Sequence, residues 1–267
     1  MPGNQPRPTL DAILAVTRAR IATLQGSAAE LERRVAAAPP VRLFQAPTPD
    51  VGLIAEVKRR SPSQGAIRTN LDPVEHAEAY VRGGAVAVSV LTDEAHFGGS
   101  LQDLERVAAA VQVPVLRKDF ILDELQIMEA RAAGASAVLL IVRVLSDRLR
   151  ALAQAARKWR LQTLIEIHTL AELEPALAAA PDAIGVNARD LATFEVDLRQ
   201  AETVIARVPG DVPVVAESGV ENRADVERLA AAGADFVLVG TSVARNSDPA
   251  AAVRALVGVE RKPRIRG

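Results

Sequence analysis

Eight short apolar runs, each followed by a helical pattern, constrain the fold of this chain more than any other feature. They recur at intervals of about 25 residues, at 53–57, 85–91, 113–116, 136–142, 162–167, 183–186, 212–216 and 236–240. Continuous apolar strands that alternate with helices are typical of a parallel sheet covered by helices. Eight nearly equal units favour closure into an α/β (β/α)8 TIM barrel over an open sheet. No G-x-G-x-x-G follows the first run, which argues against a dinucleotide-binding fold.

The helices between these runs carry start and stop signals. Residues that often cap helix N-termini precede four of them, at Asp72, Ser100, Ser146 and Asn222. Glycines predict the ends of three, at Gly83, Gly134 and Gly233.

The first 48 residues have a different pattern from the rest. Apolar residues recur at a helical period from Leu10 to Ile21, and prolines from Pro39 to Pro49 end the helical stretch. We predict that residues 1–48 form an N-terminal helical extension packed on the barrel. Residues 49–267 would form the barrel, and the two parts would make one structural domain.

The composition excludes several classes of protein. The chain has no cysteine, which excludes disulfides, thiol nucleophiles and thiolate metal sites. The net charge is −1 with both signs scattered, so we expect no nucleic-acid partner and no membrane contact. The three histidines lie far apart, and we expect no metal centre. The apolar runs are too short to span a bilayer and the N-terminus is a poor signal peptide, which favours a soluble cytoplasmic protein.

Polar side chains end five of the eight runs. Glu56 and Lys58 are two residues apart and therefore face the same side of the first strand. Lys118, Glu166, Asn187 with Arg189, and Glu217 follow the third, fifth, sixth and seventh runs. The active sites of TIM barrels lie at these C-terminal strand ends. Only four of the 32 basic residues are lysines and two of them lie here, which indicates a need for a side chain that can give up a proton.

The last two strands add a phosphate signal. Gly219 follows the seventh run, and Gly240 with Thr241 follows the eighth. The loops at these positions often bind phosphate through backbone N–H groups in TIM barrels. We therefore expect a small phosphorylated substrate, of the sugar type.

Seven short motifs resemble those of the indole-3-glycerol phosphate synthase family. They occur in the family's order and span essentially the whole chain, as EVKRRSPS (56–63), SVLTDEAHFGGS (89–100), LRKDF (116–120), LIEIH (164–168), GVNARDL (185–191), VAESGV (215–220) and VGTS (239–242). The resemblance implies conversion of 1-(2-carboxyphenylamino)-1-deoxyribulose 5-phosphate to indole-3-glycerol phosphate, with loss of carbon dioxide and water. This reaction is a step of tryptophan biosynthesis. The resemblance implies that it needs no cofactor and no metal.

The resemblance also implies roles for the charged residues. Lys118 would be the general acid, and Glu166 would assist loss of the hydroxyl and of the proton. Lys58 would contact the anionic groups of the substrate, its phosphate included. Glu56 and Glu217 would pair with the lysines and hold them in place.

The remaining site residues are also implied by the resemblance. Asn187 and Arg189 would hold the anthranilate carboxylate or the sugar hydroxyls, with Asn187 counted among the catalytic residues. The expected phosphate contacts are Ser218, Gly219, Gly240 and Thr241. The expected contacts to the rest of the substrate are Ser61, Pro62, Phe97, Phe120, Leu139 and Ile141.

Two features depart from the family pattern. Gln64 replaces a common lysine in the first barrel loop, and Ala188 takes a position that is often Asn or Ser.

The long connection from Lys58 to Asp72 is typical of a lid. His168, close to Glu166, is interpreted as a loop residue without a role. We expect a monomer.

Two alternatives remain open. One is another phosphosugar barrel such as phosphoribosylanthranilate isomerase, which would call for a cysteine base that this chain lacks. The other is a catalytically silent barrel that binds a phosphoester, which would lack the acid or the base.

Overall fold

Eight parallel strands close into a barrel in the computed structural model, which describes residues 8–45 and 49–264. Each strand pairs with the next along the chain and the last pairs with the first, so the predicted (β/α)8 barrel is confirmed. The strands are β1 Gly52–Val57, β2 Ala87–Leu91, β3 Val115–Lys118, β4 Ala137–Ile141, β5 Gln162–Ile167, β6 Ala183–Asn187, β7 Val214–Glu217 and β8 Phe236–Val239.

Helices cover the outside of this barrel, preceded by two helices of the N-terminal extension. They are α1 Leu10–Leu24, α2 Ala28–Ala37, α3 Pro73–Gly83, α4 Leu101–Ala110, α5 Glu124–Ala132, α6 Leu149–Lys158, α7 Leu173–Ala178, α8 Leu198–Ile205, α9 Arg223–Ala232 and α10 Pro249–Arg254. Short helical turns at Glu94–Phe97, Val142–Leu145, Ser146–Arg148, Leu170–Glu172 and Thr241–Arg245 follow strands in the connecting loops. None of the helices in the described ranges is long and apolar enough to cross a membrane.

Three of the four predicted N-caps accept backbone hydrogen bonds at helix starts, at Asp72, Ser100 and Asn222. The prediction for Ser146 is wrong. This residue has a positive φ of 48° and opens the short turn before α6, whose start has no side-chain cap.

All three predicted glycines lie at helix ends, and two of them adopt the left-handed conformation. Gly134 and Gly233 have positive φ values just after α5 and α9. Gly83 is the last residue of α3, and the left-handed position belongs to Gly84 with a φ of 106°. Gly83 allows α3 to pack closely against α10, because a Cβ there would come within 2.6 Å of the Ala250 carbonyl oxygen.

The N-terminal extension packs on the barrel through the apolar face of α1. Ile13, Leu14, Thr17 and Ile21 are buried, in agreement with the helical period. After α2 the chain runs toward the N-terminal ends of the strands. There the Phe44 N–H donates to Oε1 of Gln162, the first residue of β5, at 2.7 Å. The predicted boundary lies between residues 48 and 49. Residues 46–48, which include Pro47, lie outside the described residues, so the boundary stays a prediction.

A buried arginine on β3 connects this extension to the barrel. Arg117 is fully buried and points to the helical side of the sheet. Its guanidinium lies 3.0 Å from Asp119 Oδ2 and 3.3 Å from Glu129 Oε2. Arg20 of α1 reaches the same two carboxylates, at 3.0 Å from Glu129 and 3.5 Å from Asp119. The strand that ends in Lys118 is thus fixed from outside by a charged network.

We expect Arg117→Met to lower the free energy of unfolding by about 3–5 kcal/mol, because it leaves two buried carboxylates without their main partner. Arg20→Met should lower it by about 1 kcal/mol or less, because the Arg20 side chain is one-third exposed. Urea unfolding followed by circular dichroism measures both. Equal losses for the two variants would contradict this account of the network.

Candidate active site

One cavity of about 560 Å³ opens at the C-terminal ends of the barrel strands. Every residue that the sequence analysis assigned to the site lines it. These residues are Glu56, Lys58, Ser61, Pro62, Phe97, Lys118, Phe120, Leu139, Ile141, Glu166, Asn187, Arg189, Glu217, Ser218, Gly219, Gly240 and Thr241.

The strand register explains why the charged residues meet. The strands are staggered around the barrel. From each odd-numbered strand to the next, the inward residue at the same height lies two positions beyond the residue aligned with it by strand pairing. Glu56 of β1, Lys118 of β3, Glu166 of β5 and Glu217 of β7 therefore form one layer of four inward side chains, which we call the charged layer. TIM-barrel interiors consist of such layers from alternate strands, most often filled by Val, Ile and Leu. Here one such layer is ionic.

Two lysines are held by the carboxylates of this layer. Lys118 Nζ lies 3.2 Å from Glu217 Oε2 and 3.4 Å from Glu166 Oε2. Lys58 Nζ, which lies just beyond β1, is 2.7 Å from Glu56 Oε1. All three carboxylates are nearly inaccessible to solvent, and both lysines are mostly buried.

The surrounding charges keep Lys118, Glu166 and Glu56 ionised. Burial disfavours the ammonium of Lys118, but the negative charges of Glu217, Glu166 and Glu56 outweigh it and raise its pKa. Burial also opposes ionisation of Glu166, yet the charge of Lys118 and a hydrogen bond from Asn187 contribute to a lowered pKa. For Glu56, burial is outweighed by Lys58 and Lys118, and its pKa is lowered as well.

Glu217 behaves differently from the other two carboxyls. Burial raises the pKa of Glu217 to about 7, since the attraction of Lys118 is offset by repulsion from Glu166 and Glu56. The single ammonium of Lys118 does not keep both Glu166 and Glu217 ionised in a buried site. Glu217 is therefore the carboxyl that takes up a proton near neutral pH.

Two glycines leave room for the charged layer. A Cβ at Gly240 would lie 2.6 Å from Glu56 Oε1 and 2.9 Å from Lys58 Nζ. A Cβ at Gly185 of β6 would collide with Glu217 Oε1. Gly240 was predicted from its phosphate signal, whereas Gly185 was missed, although a lone glycine inside a strand often marks such a close approach.

The loops after β7 and β8, which were predicted to bind phosphate, line the cavity. Ser218 and Gly219 both have positive φ, at 67° and 82°. The Ser242 hydroxyl donates to the Val220 carbonyl at 3.1 Å and joins the two loops. Arg245 also lines the cavity and was not predicted.

Apolar side chains line further parts of the cavity wall. The sequence analysis missed several of its residues, which are Leu10, Ile13, Leu191, Phe194 and Val196. Leu10 and Ile13 belong to α1, so the N-terminal extension contributes to the wall. Their periodicity indicated only a packed helix, and one periodic face does not distinguish the core from a cavity.

The first barrel loop is anchored at its base. Arg59 lies 3.1 Å from Asp103 Oδ1 and donates to the Gly98 carbonyl at 3.0 Å. Beyond it, Arg60–Ser61 pairs with Gly65–Ala66 in a short hairpin, and Gln64 lines the cavity. The role of this loop as a lid stays a prediction.

His168 follows β5 in a loop, as predicted, but it is buried. Its Nε2 lies 3.4 Å from Glu166 Oε1. Within residues 8–45 and 49–264, no group of three or more His, Asp or Glu side chains is arranged to hold a metal ion.

The raised pKa of Glu217 gives a prediction for stability. Between about pH 4.5 and 7 the folded chain holds a proton on Glu217 that the unfolded chain has lost, so this residue destabilises the fold increasingly as the pH rises through this window. We expect the free energy of unfolding of Glu217→Gln, relative to the wild type, to increase over this range by up to roughly 3 kcal/mol. Urea titrations at several pH values measure it, with Glu221→Gln as an exposed control. A difference that does not change with pH would contradict the assignment.

The comparisons with known proteins agree with this geometry. A family model described as indole-3-glycerol phosphate synthase matches residues 10–256. A protein of that name from Mycolicibacterium smegmatis is 47% identical over 253 residues, which make up 93% of each chain. Another of that name, from Rhodopirellula baltica, is 47% identical over 254 residues, which make up 93% of this chain and 98% of the relative.

Solved structures support the fold. 3-Hexulose-6-phosphate synthase aligns with a TM-score of 0.62 at 17% identity, over 77% of this chain and 98% of that one. Thiamine phosphate pyrophosphorylase from Pyrococcus furiosus aligns with a TM-score of 0.60 at 18% identity, over 77% of this chain and 93% of that one. The match over residues 10–256 and the identity to both relatives show that the chain belongs to the indole-3-glycerol phosphate synthase family.

Proposed function

We propose that this cavity closes the indole ring of indole-3-glycerol phosphate. The substrate is 1-(2-carboxyphenylamino)-1-deoxyribulose 5-phosphate, and the reaction releases carbon dioxide and water, which makes the chain a carboxy-lyase of tryptophan biosynthesis. The observation that carries the proposal is the ammonium of Lys118 between Glu166 and Glu217 in a buried layer. It offers an acid and a base side by side.

The first step needs the acid. The ring carbon that bears the carboxylate attacks the ketone carbon, and negative charge develops on the ketone oxygen. Lys118 donates its proton to this oxygen as the carbon–carbon bond forms. The low accessibility of the site strengthens this electrostatic contribution.

The later steps restore the aromatic ring. The carboxylate leaves as carbon dioxide, and its bonding electrons return to the ring. The new hydroxyl then leaves as water, while a proton is lost from the carbon next to nitrogen. Two protons go to oxygen and one leaves carbon, so each turnover takes up one proton. Glu166, with its lowered pKa, is the carboxylate that accepts the proton from carbon.

Lys58 and Glu56 act at the substrate's anionic groups. Their ion pair of 2.7 Å lies against Gly240, next to the loops that would bind the phosphate. Glu56 holds the Lys58 ammonium toward this end, where it would pair with the phosphate of the bound substrate.

Asn187 and Arg189 form a further polar edge. Asn187 Oδ1 accepts the Arg189 backbone N–H at 3.0 Å, and the Arg189 guanidinium donates to the Phe194 carbonyl at 2.9 Å. Burial lowers the pKa of Arg189, although its guanidinium stays charged. This cation would bind the carboxylate of the substrate beside the apolar wall that takes the benzene ring.

The wider setting is part of the same proposal. The chain would act as a monomer in the cytoplasm on a small phosphorylated substrate, without a nucleic-acid or membrane partner. The residues named above would suffice for the reaction without an added cofactor or metal.

We expect Lys118→Ala to lower kcat by about 10²–10⁴, the usual contribution of a general acid. Lys58→Met should have a smaller effect, about tenfold, together with a higher KM, because it removes a charged contact to the anionic groups. The increase of indole fluorescence after addition of the substrate measures the rates. Lys158→Met is the matched control, since this lysine is exposed and far from the cavity.

Near-normal turnover by a folded Lys118→Ala variant would refute the assigned acid. Absence of indole fluorescence with the wild-type chain would refute the proposed function itself, and would favour a barrel that only binds a phosphoester.

A further inference from the structure

A second charged group lies behind Glu166, on the side away from Lys118. His168 follows β5 and is buried, with its Nε2 at 3.4 Å from Glu166 Oε1 and its Nδ1 at 3.6 Å from Glu172 Oε2. Arg143 Nε lies 3.2 Å from Glu172 Oε1. We call these three residues behind Glu166 the His168 cluster. It continues from the charged layer to the surface.

The oxygen of Glu166 that faces His168 is not used by Lys118. Lys118 contacts Oε2, whereas Oε1 and His168 Nε2 are both buried and have no hydrogen-bond partner among the described residues. Buried polar atoms without partners are costly and rare. The two atoms face each other at 3.4 Å, so a small rotation of the imidazole would join them.

Glu172 fixes the imidazole from the other side. Its Oε2 accepts the His168 backbone N–H at 2.6 Å, and its Oε1 is held by Arg143. Arg143 is itself anchored to Asp190 at 3.1 Å. Burial opposes the charge of Glu172, but the contacts with His168 and Arg143 lower its pKa to about 2. Glu172 is therefore a carboxylate at working pH.

The charges around His168 favour its protonated form. Burial disfavours the imidazolium, and Arg143 repels it, but the contact with Glu172 and the charge of Glu166 outweigh both. The pKa of His168 is raised above its usual value. Below that raised pKa the imidazolium is present, and it is lost only as the pH rises through it.

We infer that His168 is a positioning residue, which binds Oε1 of Glu166 as an imidazolium and keeps Glu166 a carboxylate while Lys118 gives its proton to the substrate. The inference rests on the proposed function and deepens it. In the resting site Glu166 faces two cations. When Lys118 has donated its proton, His168 is the one that remains, so the base stays ionised for the later proton transfer.

The pH profile of kcat/KM tests this inference, because its acid limb reports the essential base of the free enzyme. His168→Gln keeps a donor at the position but never carries a charge. We expect the acid limb to move up by about one pH unit. At pH values below the limb kcat/KM should then be about tenfold lower than in the wild type, and at pH values above the limb the difference should disappear. His76→Gln is the matched control, since His76 is also buried but its pKa is lowered, and we expect no shift of the limb.

A second variant and a second measurement keep the test independent of folding and of turnover. Glu172→Gln should shift the limb in the same direction by less than His168→Gln, and the double variant should not exceed His168→Gln alone. The chain has only three histidines, so the imidazole of His168 can be assigned in NMR spectra from single substitutions. We expect Glu166→Gln to lower the measured pKa of His168.

Each outcome decides one claim. An unmoved acid limb in His168→Gln, with only a uniform loss of rate or of stability, would overturn the positioning role. A pKa of His168 that is the same in Glu166→Gln and in the wild type would overturn the pairing. If the wild-type chain makes no indole product, the proposed function fails, while the NMR comparison still decides whether His168 pairs with Glu166.

Discussion

The structure depends on one interaction, the ammonium of Lys118 held between the carboxylates of Glu166 and Glu217 inside the barrel. Barrel interiors are normally filled by branched apolar side chains, and here one complete layer is ionic. Other features are arranged around this layer. Gly185 and Gly240 leave it room, and the Arg117 network fixes β3 from the helical side.

A buried ionic layer opposes stability, because desolvation of its charges often exceeds their mutual attraction. The chain limits this effect in two ways. The raised pKa of Glu217 lets one carboxyl become neutral near pH 7, and Lys58 pairs with Glu56. The large apolar core, formed by the strands and the helices packed around them, supports the fold while the mouth remains charged.

The sequence predicted the strands and the polar mouth because both follow from local patterns. Parity along a strand assigns Glu56 and Lys58 to one face, and parallel strands bring their ends together. The layer itself depends on the register between neighbouring strands, which no single segment contains. The same limit applies to Gly185, whose partner Glu217 lies in the next strand, and to Leu10 and Ile13, whose period is that of any packed helix. The sequence analysis assigned no role to His168, because its burial against Glu166 and the contact of Glu172 with Arg143 from the preceding loop depend on the tertiary structure.

A crystal structure with a stable analogue of the substrate, in which the ketone is reduced to an alcohol, tests the central claim most directly. The measured quantity is the distance from Lys118 Nζ to the oxygen that stands for the ketone. The account predicts a direct hydrogen bond of about 3 Å, with Glu166 on the same side of the ligand. An alcohol oxygen turned away from Lys118, with the ammonium still held only by Glu166 and Glu217, would contradict it.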